Sequence, residues 1–408
     1  MLDGLIWGVF FYSIAIVIAF WAYNLYSPLY QRTCVVILFC ALGHYIGTII
    51  YPLVPQDSFV QFFQGANPNF RWGNSTQIVK SITWIVREYL TGDSYLATLY
   101  FFSAFSFVGS VLWYLLYLQL SQALNISNQK YIFPALVIMC WPSFLFFTCG
   151  IVKDSWCYFL IPLVFLSWNQ FHYVRKNRLM MLFLIFLSLF VMILTRSYLL
   201  MVFAGAYSLS KFEGFKKLTL LNVVSILIIL PIFVYVVYWV NGSDTTIETV
   251  SKRAVFQQTH QNIGSSFPML TKDPKFILFA LPYNFIMNLI MPMFIFARNI
   301  VGYTASLENV FLVYLIYRFW KKRRVYQLIK NKLKPVKLYM SFFIVGMSFM
   351  SLINTNLGLA MRQKSMYMPC LLVIMMLVWQ YGKQKKVPVE MNTDSLKTQE
   401  NQTGFLAT

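Results

Sequence analysis

The chain has 408 residues, of which 59% are hydrophobic and 11% charged, far from the roughly half apolar, quarter charged make-up of a soluble globular domain. Apolar runs of about 20 residues, the length that crosses a bilayer core, recur from the first residues almost to the end and exclude a large water-soluble domain. The net charge of +20 gathers in "HYVRKNR", "SKFEGFKK", "RFWKKRRVYQLIKNKLKPVK" and "GKQKK", which read as cytoplasmic flanks facing anionic lipid and not as a nucleic-acid surface.

The expected fold class is therefore all-α: a polytopic integral membrane protein with about eleven transmembrane helices and one re-entrant or interfacial segment. The N-terminus carries Asp3 but no basic residue before Arg32, and no small-residue cleavage site closes the first run. Leu5 to Leu25 thus reads as a retained first helix. The second span runs from Thr33 to Val54 and leads into an outer loop, 55–94. There "STQIVKSITWIVREYL" spaces Ile78, Ile82, Ile85 and Leu90 at near-helical period, which predicts a short amphipathic helix on the outer leaflet. Further spans follow at Tyr95 to Leu120, Tyr131 to Thr148, Ser155 to Phe171, Leu179 to Thr195, Tyr198 to Ser210 and Leu218 to Val240. The last three are Leu307 to Trp320, Leu338 to Asn354 and Ser365 to Tyr381.

Between Phe276 and Phe296 lies another apolar run, "FILFALPYNFIMNLIMPMFIF", interrupted by Pro282 and Pro292. If it crossed, the basic clusters on either side would land on opposite faces of the membrane, against the positive-inside bias, so it is read as non-spanning. Such a segment is tolerated only where protein or a water-filled cavity covers its backbone. The resulting threading places the N-terminus outside and the C-terminus in the cytoplasm. Residues 1–386 form one transmembrane domain with outer loops 55–94 and 241–306, and the polar tail 387–408 is expected to be disordered.

All six cysteines (Cys34, Cys40, Cys140, Cys149, Cys157 and Cys370) lie in or beside apolar segments without paired metal spacing, as small hydrophobes do. His44, inside a span beside Gly43 and Gly47, reads as a packing histidine, and His172 belongs to a basic inner turn. His260, in "VFQQTHQNIGSSF", lies on the long outer loop, where a Gln- and Asn-rich environment suits sugar hydroxyls. No metal site or cofactor is expected.

Ionisable groups near spans are costly, so their placement carries meaning. Lys153 and Asp154 fall at an outer turn in "FFTCGIVKDSWCYF", where Gly150 ends one helix and Ser155 is positioned to cap the next. The pair is either a capped turn with a snorkelling lysine or a charge kept for chemistry. Arg196 marks the apex of the hairpin "MILTRSYLLM", Arg298 follows the re-entrant run, Glu308 begins a span in "ASLENVF", Arg362 and Lys364 follow "NTNLGLA", and Asp57 closes the second span. Lys153, Arg196, Arg298 and Arg362 stand at one membrane depth and can converge on a phosphate or pyrophosphate, which arginine binds bidentately.

"CWPSFLFFTCGIVKDSWCYFLIPLVF", with Pro-Ser, a Gly and Lys-Asp punctuating two short spans, resembles a recurrent segment of bacterial polytopic proteins of surface polysaccharide assembly. "INTNLGLAMRQKSMYMPCLLVI" is similar to their last helical pair, and "LENVFLVYLIY" after a proline-broken run also fits. The nearest resemblance is to O-antigen and exopolysaccharide polymerases, with C-type membrane glycosyltransferases alike in design. The resemblance implies a multi-pass protein of the bacterial inner membrane that acts on its outer face. Its substrate would be a polyprenyl-(pyro)phosphate-linked sugar, its surroundings membrane lipid, and its partners other polysaccharide-assembly membrane proteins. Lys153, Arg196, Arg298 and Arg362 would bind the phosphate, and Asp57, Asp154, Glu308 or His260 would take the acceptor proton. The C-type enzymes carry their acidic residue after the first span with the N-terminus inside, whereas here Asp57 follows the second span. The same residues leave room for a polyprenyl-monophosphate-dependent transferase, or for a flippase or exporter that binds the same lipid without chemistry.

Overall fold

The computed structural model describes residues 2–26, 31–53, 62–63, 75–126, 131–174, 177–211, 277–296, 300–353 and 357–384. These are 91% helical and contain no strand, in keeping with the all-α expectation. Asp57, His260 and Arg298, the expected span Leu218 to Val240 and the 387–408 tail lie outside the described residues.

The N-terminal helices are α1 (Leu2–Tyr26), α2 (Gln31–Ile50) and α3 (Ser75–Val86), followed by α4 (Tyr95–Ala123). Among them α4 is the centre of the molecule. It holds 29 residues without one charged side chain, starts on Ser94, whose hydroxyl accepts from the Ala97 N–H, and is buried nearly all round. A helix apolar on every side belongs inside, and α1, α2 and α7 (Lys153–Asn169) surround α4 together with α15 (Met368–Gln384). Small residues set the distances between them. A Cβ on Gly8 of α1 would lie 2.7 Å from the Tyr100 ring, and one on Gly109 of α4 would lie 2.9 Å from the Tyr158 carbonyl of α7, so both crossings depend on the missing side chain.

Between α4 and α7 come two short helices, α5 (Ile132–Met139) and α6 (Pro142–Phe147). This corrects the continuous span expected over Tyr131 to Thr148. The chain turns at Cys140 and Trp141 because Pro142 occupies the first turn of α6. There its absent N–H costs nothing, whereas inside a continuous helix it would remove a hydrogen bond. Next are α8 (Arg178–Arg196) and α9 (Tyr198–Lys211), joined by the single residue Ser197, as the hairpin reading required.

The C-terminal half contains α10 (Ile277–Ile290), α11 (Ile300–Lys321), α12 (Arg323–Lys332), α13 (Lys334–Ile353) and α14 (Leu357–Lys364), followed by α15. With 14 residues, α10 extends about 21 Å, short of a hydrocarbon core about 30 Å thick. Two further boundaries differ from expectation. The helix α11 begins at Ile300 and not at Leu307, and the basic run expected as a flanking loop is itself helical, α12 meeting α13 at 119°.

Among the described residues three helices can cross a membrane by length and composition: Asp3–Asn24, Tyr95–Ala123 and Arg178–Arg196, or four if the bent pair of α12 and α13 counts as one. The outward faces of α1 and α8 are strongly apolar, with Val9, Val17 and Trp21 exposed on α1, and Leu179, Phe183 and Phe186 on α8. Exposed apolar surface on that scale marks a face meant for something other than water, and lipid suits it. Inside, small polar groups find one another. Tyr12 pairs with Ser103 at 2.6 Å, and His44 Nε2 lies 3.1 Å from Ser110 Oγ, with Cys149 Sγ 3.6 Å from its other nitrogen. His44 is thus fully buried with partners on both ring nitrogens.

The described charges are segregated. All five described acidic residues (Asp3, Glu88, Asp93, Asp154 and Glu308) belong to one end of the bundle, where α1, α4 and α7 begin and α8 ends. At the other end, α8 begins at Arg178, α9 ends at Lys211, α11 ends in Lys321, and α12 and the start of α13 follow, with no described acid among them.

Candidate functional site

The turn before α7 places Lys153 and Asp154 in the first helical turn. Val152 stands at the cap position without a side-chain bond. Ser155, expected as the cap, instead donates backwards to the carbonyls of Thr148 (2.7 Å) and Gly150 (2.8 Å). Stitched in this way, the irregular stretch between α6 and α7 satisfies backbone acceptors that would otherwise be buried unmet. Asp154 is then fixed at the positive end of α7, where a carboxylate is favoured.

Asp154 is completely buried, and both of its oxygens face arginines. Oδ1 accepts from the Nη2 of Arg196, the last residue of α8, and Oδ2 pairs with Arg362 Nε of α14 at 2.8 Å. Arg196 also donates through Nη1 to the hydroxyl of Tyr198 at 2.7 Å, so the α8–α9 hairpin holds its own guanidinium in place. Two of the four cations expected at one membrane depth therefore meet, and the anion between them is the chain's own Asp154. Lys153, half-buried beside it, feels the charges of Arg196, Asp154 and Arg362. Arg298 lies outside the described residues.

A second group stands nearby on α11. Glu308, 7% exposed, does not start its helix but lies two turns inside it. Its carboxylate accepts from the Trp141 indole N–H, the Ser143 hydroxyl and, at 2.7 Å, the Ser143 backbone N–H. The break between α5 and α6 is thus closed by a carboxylate from a different part of the chain, which satisfies an N–H that a helix start leaves without a partner. Adjacent Asn309 donates to the Pro292 carbonyl (3.0 Å) and accepts from Lys364 Nζ (3.0 Å). Lys364, 2% exposed, also lies within electrostatic reach of Glu308.

Both groups are joined by α14. In eight residues it carries Arg362 to Asp154 and Lys364 to Asn309 and Glu308. Above it, Gly346 of α13 lets the buried Tyr367 ring pass so closely that a Cβ there would fall 2.2 Å from Cδ1. Sequence reasoning missed the parts played by Trp141, Ser143 and Asn309. The signals were present as a Trp-Pro-Ser triplet inside an apolar run and a Glu-Asn pair inside a span.

Three cations (Lys153, Arg196 and Arg362) against one carboxylate leave two positive charges in excess around Asp154. An excess of that kind at the end of an apolar bundle, with guanidiniums already fixed in orientation, can hold a polyanion without reorganising. No family model matches the chain, and neither a curated protein nor a solved structure matches it.

Proposed function

We propose that the chain is a polytopic membrane enzyme of about eleven spans. It transfers or polymerises sugars from a polyprenyl-(pyro)phosphate-linked donor on the outer face of a bacterial inner membrane. The observation that carries this reading is the meeting of Arg196 and Arg362, from distant parts of the sequence, on buried Asp154 beside Lys153. The charge segregation among the described residues supports the orientation, since a basic end suits the cytoplasmic side and the Asp154 end would then face out.

In this reading the donor's pyrophosphate settles against the excess positive charge. As the bond between the anomeric carbon and the phosphate oxygen breaks, negative charge grows on the leaving group, and preplaced guanidiniums stabilise it more than they stabilise the ground state. Asp154 orients the two arginines. The acceptor hydroxyl attacks the anomeric carbon and passes its proton to a base, for which Asp57, His260 and Glu308 stand as candidates beside Asp154. No cofactor is invoked, and the isoprenoid tail stays among lipid.

The test uses purified full-length protein in lipid nanodiscs with a polyprenyl-pyrophosphate oligosaccharide. Chain growth that disappears in Arg196→Ala and Arg362→Ala supports the polymerase. Growth only with a polyprenyl-monophosphate sugar moves the assignment to the related transferase. Movement of the lipid across the bilayer without new glycosidic bonds makes the protein a flippase or exporter and refutes the enzymatic reading.

A further inference from the structure

Around Asp154 the amount of positive charge is not fixed. Arg196 and Arg362 keep theirs, because a guanidinium does not give up its proton in a protein. Lys153 can lose its charge. It stands in the first turn of α7 beside Asp154, at the positive end of the helix, which favours an anion and opposes a cation. The position that steadies Asp154 therefore works against Lys153.

Asp154 itself does little to offset this. It turns Oδ1 to Arg196 and Oδ2 to Arg362, so both of its oxygens are engaged by fixed charges from α8 and α14. The groups that act on the half-buried Lys153 amine are Arg196 and Arg362, which repel its proton, and Asp154 and Cys157, which favour it. Lys153 precedes the span expected from Ser155. Burial first, and then the Arg196 guanidinium, bring its amine down to about 8, with Asp154 and Cys157 pulling the other way and Arg362 lowering it further.

Among the described residues the cluster thus has two charge states. With Lys153 protonated, three cations against one carboxylate leave an excess of two; with Lys153 neutral, the excess is one. A phosphate esterified on both sides carries one negative charge, as in a nucleic-acid backbone. A sugar joined to a lipid through a diphosphate therefore brings two charges, and one joined through a monophosphate brings one.

We propose that Lys153 sets the charge that the site can hold: protonated, it fits the cluster to a head of two negative charges, and neutral, to a head of one. Capture of the doubly charged head draws a proton onto the amine, because the anion removes the repulsion that opposed it. This role rests on the reading of the cluster as a phosphate site. It adds that the choice between a diphosphate and a monophosphate head is made by the lysine, since the two arginines cannot change charge. Below about 8 the proton is already in place and affinity is independent of pH. Above it each diphosphate bound must bring a proton, and affinity falls by up to about tenfold per pH unit.

The test measures binding, not transfer. Full-length protein in phosphatidylcholine nanodiscs is titrated with two short prenyl lipids of equal length that carry the same sugar, one through a diphosphate and one through a monophosphate. At about pH 7 wild type should hold the diphosphate roughly tenfold more tightly or better, as one additional charge-assisted contact implies. That lead should shrink between about pH 8 and 9.5, and titration calorimetry in two buffers of different ionisation heat should show close to one proton taken up per diphosphate at about pH 9. Lys153→Gln should bring the two affinities within about threefold of each other at about pH 7. It removes a repelled charge and leaves both Asp154 pairs in place, so the fold does not depend on it. Lys153→Arg, whose charge is fixed, should keep the preference at about pH 9.5 and take up no proton. Equal affinity for the two heads in wild type overturns the role of Lys153. A preference that survives Lys153→Gln does so too, as does a diphosphate affinity unchanged between about pH 7 and 9.5. Binding as described without sugar transfer would sink the enzymatic reading alone, and transfer without a head preference set by Lys153 would sink this role alone.

Discussion

Replacing Asp154 tests the centre of the structure most directly. The carboxylate is fully buried, the Arg196 side chain is 9% exposed and the Arg362 side chain 21%. Removing one partner of a buried ion pair costs about 3–5 kcal/mol, because the remaining charge is left without compensation. In this case two guanidiniums lose their partner, but Arg362 is open enough to regain water, which discounts its share. The expected loss is about 4 kcal/mol for Asp154→Ala. For Asp154→Asn, which keeps the shape and one acceptor, it is about 3 kcal/mol. Reversible unfolding in mixed micelles, followed by tryptophan fluorescence, measures both. A second arm adds pyrophosphate, which should restore part of the stability of Asp154→Asn by taking the carboxylate's place and should do much less for Asp154→Asn/Arg196→Met. A loss below about 1 kcal/mol in Asp154→Ala would mean that the three side chains do not meet as described, and the excess of charge argued from their meeting would go with it.

Other outcomes follow from the same geometry. Glu308→Ala strips acceptors from Trp141 and Ser143 and should cost about 3 kcal/mol; Glu308→Gln, which still accepts, should recover at least half, and equal losses in the two variants would contradict the closure of the α5–α6 break. Gly346→Ala puts a methyl group where the buried Tyr367 ring lies and should cost about 1–3 kcal/mol, relieved by Tyr367→Leu in the same chain; a neutral Gly346→Ala would show that α13 and α15 are farther apart. For orientation, Asp93, whose side chain is 81% exposed, and exposed Lys334 lie at opposite ends of the bundle. In intact cells a membrane-impermeant maleimide should therefore label Asp93→Cys and spare Lys334→Cys, with the reverse pattern inverting the threading.

Much of this was legible in the residues because lipid-facing helices are written in long apolar runs. Those runs place α1, α4 and α8 within a few residues. Positions were harder where one residue decides between continuing and breaking. The Tyr131 to Thr148 run is as hydrophobic as a span; Pro142 lets the chain turn at Trp141, but the contact of Glu308 with Ser143 that closes the turn comes from 165 residues away and leaves no local pattern. The basic stretch after Arg318 reads as a flank because charge outweighs periodicity in "KKRRVYQLIKNK", yet Val325, Tyr326 and Ile329 find a core to pack against and make it a helix. At the site, spacing indicated that Arg196 and Arg362 share a depth. It gave no sign that Asp154 lies between them, since pairing across 42 and 208 residues leaves no local pattern. The Lys-Asp pair in "GIVKDS" opens a helix without the Ser155 cap, and its aspartate gathers cations from two other helices.

The uneven distribution of charge along the bundle also bears on how such a chain is made. With the basic end kept in a compartment held negative, the cations of α11, α12 and α13 rest on the favourable side of the membrane voltage. Moving a unit charge against that field costs about 2.3 kcal/mol per 100 mV. Nine such groups lie between Arg318 and Lys337 alone, so hauling that stretch across would cost on the order of 20 kcal/mol per 100 mV. A nascent chain threaded the wrong way round could not right itself later, and the decision must be taken as the helices leave the insertion machinery.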